Sequence, residues 1–199
     1  GGAAELDLNG ASDKLILDLD GDTTISADTD DQIDFKAGGT DIMSLTATTA
    51  QINDGLTVTV ADNTDTLTLV STDADASGGP VLDFYRNSSS PADSDSIAKM
   101  TFRGRNDNSE DVDYGKIDMT ITDASDGSED SEFNLSTIRG GTIRSQFKAN
   151  NTETVFNDDS VTIDFRVESS GATHALYVDA AENRVGIGTS SPDYTLHVR

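Results

Sequence analysis

Three carboxylates stand at alternate positions beside a glycine turn in Asp18-Leu19-Asp20-Gly21-Asp22. Calcium takes roughly six to eight oxygen ligands, and a turn that gathers carboxylates supplies several of them. Asp18, Asp20 and Asp22 are therefore the candidate ligands of a structural, Ca-like cation. The register is not that of an EF-hand, which needs a bidentate Glu at its twelfth position; counted from Asp18, that residue is Thr29. The bland reading of the same residues is a plain turn, because Asp favours turns and the chain holds 30 of them.

Other chemistry-bearing patterns are weaker. Gly186-Ile187-Gly188 opens like a dinucleotide fingerprint, but Ser191 replaces the third glycine and Pro192 precludes the helix that should follow. Its better reading is steric: bare glycines admit a close backbone approach, such as another subunit at a crowded axis. His174 and His197 are the imidazoles, and neither neighbours a nucleophile elbow. No catalytic residue and no cofactor is expected from these positions. Arg86, Arg103, Arg105, Arg139, Arg144 and Arg166 cluster in the middle of the chain. In so acidic a setting guanidinium is expected to pair with carboxylates between strands or subunits. The functional alternative is recognition of acidic sugars or lipopolysaccharide phosphate.

The elements that must position these residues read as strands. Apolar residues alternate with polar ones at Leu15/Leu17/Leu19, Ile33/Phe35, Leu56/Val58/Val60, Leu67/Leu69 and Leu82/Phe84. The period continues at Ala98/Met100/Phe102, Ile117/Met119/Ile121, Phe133/Leu135 and Val161/Ile163/Phe165/Val167. Such alternation predicts an all-β chain whose sheets have one wet face. Turn signals punctuate it at Gly21, Gly38-Gly39, Asn53-Asp54-Gly55, Asp126-Gly127 and Gly140-Gly141. A loose similarity links 18–25 with 28–35, both Asp/Thr-rich turns feeding an Ile. Three zones result: a short-strand shaft over 1–70, a central long-strand domain over 71–168, and a C-terminal β segment over 169–199. Polar stretches at 71–80, 87–96 and 106–113 are expected to be exposed loops, the last two being candidate receptor contacts.

Composition sets the outer bounds. With 37 acidic and 13 basic side chains among 199 residues, the formal net charge is −24. Phosphates would be repelled, so neither nucleic acid nor an anionic membrane is an expected partner. No stretch approaches the roughly 20 apolar residues that span a bilayer, so no membrane insertion is expected. No basic start with an apolar continuation is present, so no signal peptide is expected in this chain. Zero cysteines remove disulfides and thiolate metal sites together. Oligomerisation is the remaining way for so lean a chain to gain buried surface.

Arg184-Val185-Gly186-Ile187-Gly188-Thr189-Ser190-Ser191-Pro192, followed by Tyr194-Thr195-Leu196-His197-Val198, resembles a signature of tailed-bacteriophage fibre proteins. In that family it sits just before a C-terminal knob or an intramolecular chaperone. Phe84-Tyr85-Arg86, Ser90-Pro91-Ala92-Asp93 and Ile121-Thr122-Asp123-Ala124-Ser125-Asp126-Gly127 are similar to the long-strand region of such fibres. Asp20-Gly21-Asp22-Thr23-Thr24-Ile25-Ser26-Ala27 and Asp31-Gln32-Ile33-Asp34-Phe35 look like segments of marine-phage fibres. The resemblance implies a virion tail fibre or appendage. Such a protein is an elongated homotrimer with a β-sandwich-like or β-prism centre, in contact with other virion proteins and a host cell-surface glycan or protein. It also implies that a downstream chaperone can be cleaved off.

The expectation is thus a structural, adhesive, extracellular virion protein without catalysis, working in a salty setting that screens its charge. Two alternatives stay open: a polysaccharide depolymerase on a trimeric β scaffold, and a non-viral extracellular filament subunit.

Overall fold

The computed structural model describes residues 14–27, 29 and 31–199. The early Gly1-Gly2-Ala3-Ala4 stretch, and Asp28 and Asp30 of the second repeat-like segment, lie outside the described residues. The chain is all-β, with no helix among the described residues and three sheets. Two compact units divide it, Gly1–Pro80 and Val81–Arg199.

The first unit holds one antiparallel five-stranded meander. Its strands are β1 (Lys14–Ile16), β2 (Thr24–Ser26), β3 (Ile33–Ala37), β4 (Thr40–Leu45) and β5 (Ala50–Ile52), in that spatial order. The second unit holds two sheets. One contains β6 (Ser96–Arg105), β7 (Asp111–Asp123), β8 (Asp130–Arg139), β9 (Thr142–Ala149) and β10 (Thr154–Phe156), again a meander. The other contains β11 (Phe165–Ser169), β12 (Ala172–Asp179), β13 (Arg184–Ile187) and β14 (Leu196–Val198), with the last pair parallel. Each neighbour follows its predecessor in sequence, so every sheet grows by local connections.

Glycine pairs set the register of two hairpins. Gly38-Gly39 and Gly140-Gly141 all have positive φ, and the flanking pairs Ala37↔Thr40 and Arg139↔Thr142 are directly opposed. A two-residue hairpin loop of type I′ needs both central residues left-handed, which glycine adopts without a Cβ penalty. A one-residue slip there would turn every apolar side chain to the other face.

That register separates chemistry cleanly in the long-stranded sheet. Ala98, Met119, Phe133 and Ala149 lie in one cross-strand row, and Met100, Ile117, Leu135, Phe147 and Phe156 in the next, on one face. The opposite face carries Lys99, Asp118, Asn134 and Lys148, then Thr101, Lys116, Ser136 and Ser145. The first sheet repeats the separation. Leu15, Ile25, Phe35, Met43 and Ile52 share one face; Lys14, Ser26, Asp34, Ser44 and Gln51 share the other.

Not every predicted strand pairs. The alternations at Leu56/Val58/Val60, Leu67/Leu69 and Leu82/Phe84 form no ladder in this chain. Alternation marks a segment suited to a pleated surface, but a strand also needs a partner edge. The run expected from Val161 to Val167 shortens to Phe165–Ser169. Asn157 accounts for that: its Nδ2 donates to the Val161 carbonyl at 2.6 Å and its Oδ1 accepts the Val161 N–H at 3.2 Å. Leu15 begins the first predicted strand as β1, yet Leu19 lies in the following turn, wholly exposed.

Candidate functional site

The fold places polar residues where proteins usually keep apolar ones. Among the described residues no large hydrophobic side chain is fully buried, whereas Asp34 is 1% and Thr24 2% exposed. Asp34 sits inside its own network: Gln32 Nε2 and the Ser44 hydroxyl both donate to its Oδ1, the former at 2.7 Å. On the long-stranded sheet, Asn134 Oδ1 accepts the hydroxyls of Ser136 at 3.2 Å and Ser145 at 2.9 Å. Small polar groups are thus buried on these faces. The apolar faces have no such cover: Phe102 is 52%, Phe156 53%, Leu196 61% and Val198 65% exposed.

The C-terminal sheet shows the pattern most plainly. Phe165, Val178, Val185 and Leu196 form one cross-strand row, and Val167, Leu176, Ile187 and Val198 the next. All eight are apolar and share a face. A row of rings runs across the second unit: Phe133–Phe147 at 5.9 Å, Phe147–Phe156 at 5.1 Å and Phe156–Phe165 at 4.8 Å between centroids. Edge and tilted ring pairs at such spacing are each worth about 0.5–1.5 kcal/mol beyond area burial. Phe147, Phe156 and Phe165 line a cleft of about 260 Å³ with Leu135 and Ile163, open to solvent.

Total surface makes the same point. A folded 21.0 kDa monomer exposes about 9,000 Å², and two separate units of these sizes about 11,000 Å². This chain exposes 14875 Å².

The three acids of the predicted cation site do come together. Asp18, Asp20 and Asp22 place carboxylate oxygens within 4.8 Å of one another. Asp18 is also the acceptor that closes the turn, taking the N–H of Gly21 and of Thr23, each at 3.0 Å. Lys14 Nζ donates to the Gly21 carbonyl at 2.9 Å. Hydrogen bonding from Thr23 holds the Asp18 carboxyl down at about 2, while the Asp18 carboxylate that Asp22 bonds pushes Asp22 up. Crowded acids of this kind can share a proton or accept a cation, and the geometry serves the turn in either case.

The arginines are spoken for within the chain. Arg86 meets Asp95 at 2.9 Å, Arg103 meets Asp113 at 2.9 Å, and Arg105 meets Asp111 at 3.3 Å. Arg166 meets Glu168 at 2.9 Å and Arg144 lies 4.0 Å from Asp159, while Arg139 donates to the Thr162 carbonyl at 2.6 Å. Arg103↔Asp113 and Arg105↔Asp111 are cross-strand register partners of β6 and β7, the strand-to-strand pairing expected of them.

The loops offered as receptor contacts are ordered by their own side chains. Asp95 ties Arg86 to the Ala92 N–H, and Asp93 accepts the Ala124 N–H at 2.9 Å. The second loop is shorter than expected, because 111–113 belong to β7; Asn106 Oδ1 holds it by accepting the N–H groups of Asn108 and Glu110. At the C-terminal sheet, a polar concavity of about 620 Å³ is lined by His174, Ser190, Ser191 and Arg199 among others. His174 Nδ1 lies 2.9 Å from the Thr173 hydroxyl and its ring edges against Tyr177. His197 Nδ1 accepts the Asp193 N–H at 3.3 Å.

The close approach foreseen at the glycine motif is present, and the approaching backbone is the chain's own. A Cβ on Gly186 would stand 2.6 Å from the Thr189 carbonyl oxygen. The alternation at Phe165/Val167 puts these residues on one face but carries no mark of whether that face is covered, so the inversion of burial was not legible in the sequence. Among known proteins, no family model matches the chain and no curated protein is significantly similar to it.

Proposed function

We propose that this chain is a structural and adhesive protein that works as a closed homotrimer, a tail-fibre-like appendage of a virion, without catalysis. One observation carries the reading: each of its three sheets has an apolar face on which, among the described residues, no large side chain is fully buried. A single sheet layer must bury that face against another layer. Three copies turned inward supply the layer, in the manner of a β-prism, and a three-fold ring also closes the sheet edges. The arrangement leaves the polar, hydrogen-bonded faces and the ordered loops outward, toward a host-surface glycan or protein. Multivalency then raises avidity without new chemistry.

Electron microscopy of the purified protein tests the reading. Closed three-fold rods support it; open head-to-tail filaments would support the extracellular-filament alternative instead, and compact single chains would defeat both.

A further inference from the structure

The stretch between the first sheet and the second unit combines strand-like sequence with full exposure. Every residue from 53 to 80 is exposed, and among the described residues no backbone group within 54–80 bonds another backbone group. Yet Leu56-Thr57-Val58-Thr59-Val60 and Thr66-Leu67-Thr68-Leu69-Val70 are the most strand-like sequences it holds, alternating and rich in β-branched residues. The turn between them is already built. Asp62 Oδ1 accepts both the Thr64 N–H at 3.0 Å and the Thr64 hydroxyl at 2.6 Å. Further on, Asp73 and Asp75 cap the N–H groups of Asp75 and Ser77 in the same way. Asp62, Asp73 and Asp75 thus serve turns, and both strand-like pentapeptides carry no charge.

We infer that these two pentapeptides become strands only between copies, each pairing its backbone with the same segment of a neighbouring copy. This rests on the homotrimer reading above and goes beyond it, since a trimer can also form through the sheet faces alone. Three features favour a second copy as the occupant. Uncharged strands can lie side by side with their own kind, because no like charges come directly opposite. Thr57, Thr59, Thr66 and Thr68 supply cross-strand Thr–Thr neighbours in a homotypic pair. The surface excess, about 4,000 Å² per chain even against two separate folded units, is several times the roughly 800 Å² each partner gives to a standard interface. An exposed, uncharged, apolar segment of this kind is otherwise an aggregation site.

The test uses the whole protein at assembly concentration, with particle mass measured alongside. Hydrogen exchange is expected to be slowed at least about tenfold for the amides of 56–60 and 66–70 relative to free-chain rates. Because the chain has no cysteine, Val58→Cys and Leu67→Cys each introduce a single thiol. A short bis-maleimide is expected to join two copies through either, while Ser89→Cys in an exposed loop stays unlinked. Free-chain exchange across 56–70 in a particle of trimer mass overturns the inference and leaves the trimer reading standing. Protection without cross-linking overturns it too, since the cover is then not the same segment. A single-chain mass brings down the trimer reading itself.

Discussion

Leu196→Ala on β14 separates a covered apolar face from a wet one. Leu196 is 61% exposed in the single chain, so only about two fifths of its side chain is withdrawn from water. Full burial of a leucine is worth roughly 1.5–3 kcal/mol, and truncation at this degree of exposure costs about 1 kcal/mol or less. Covered by a neighbouring copy, the same side chain sits in a packed layer with Val178, Val185 and Ile187. Leu→Ala there costs about 2–5 kcal/mol per chain. For chains of this size each kcal/mol moves the melting temperature by about 2–4 °C. Thermal unfolding followed by circular dichroism, with sedimentation at the same concentration, is expected to show a loss of roughly 5–15 °C and weaker assembly. Ser89→Ala, in a loop, is expected to change stability by no more than about 0.5 kcal/mol. A Leu196→Ala shift under about 3 °C with unchanged particle mass would refute the reasoning.

Gly186→Ala forces a Cβ to 2.6 Å from the Thr189 carbonyl oxygen, and denaturant melts are expected to show a loss of about 1–3 kcal/mol. The acid turn has opposing pH signatures. Asp18, at about 2, stabilises the fold above its unfolded value near 4, and that contribution fades as pH falls toward 2. Asp22, pushed up, favours the fold in its protonated form, so its contribution is present in acid and lost as pH rises. Asp22→Asn is therefore expected to raise stability at pH 7 and to lose that advantage at pH 3, read from urea midpoints. Asp18→Asn is expected to lower stability at pH 7. Tripling a charge of −24 opposes assembly. At about 0.5 M salt the Debye length is only about 4–5 Å. Sedimentation in 20 mM and 500 mM salt is expected to show assembly strengthening with salt, and weakest in low salt with chelator.

Much of this architecture is legible in the sequence because its strands are local. Ile117, Met119 and Ile121 alternate within β7, and the hairpin glycines announce where the chain turns back. The Asp18, Asp20 and Asp22 cluster was legible for the same reason, since five adjacent residues in a turn have few other arrangements. What alternation does not state is which face is covered. Leu56, Val58 and Val60 read like Ala98, Met100 and Phe102, yet only the latter meet a partner strand in their own chain. Burial is a property of the layer opposite, and where that layer comes from another copy no pattern within one chain marks it. The shortened β11 was hidden differently: Asn157 competes for the Val161 backbone through a side chain four residues away.

In the trimer proposed above, the uncovered faces are buried by copies of this chain. Sedimentation of the full protein at micromolar concentration in about 0.5 M salt tests it most directly. A single species at three times the 21.0 kDa chain mass is expected. A folded, β-rich species at the mass of one chain would contradict it.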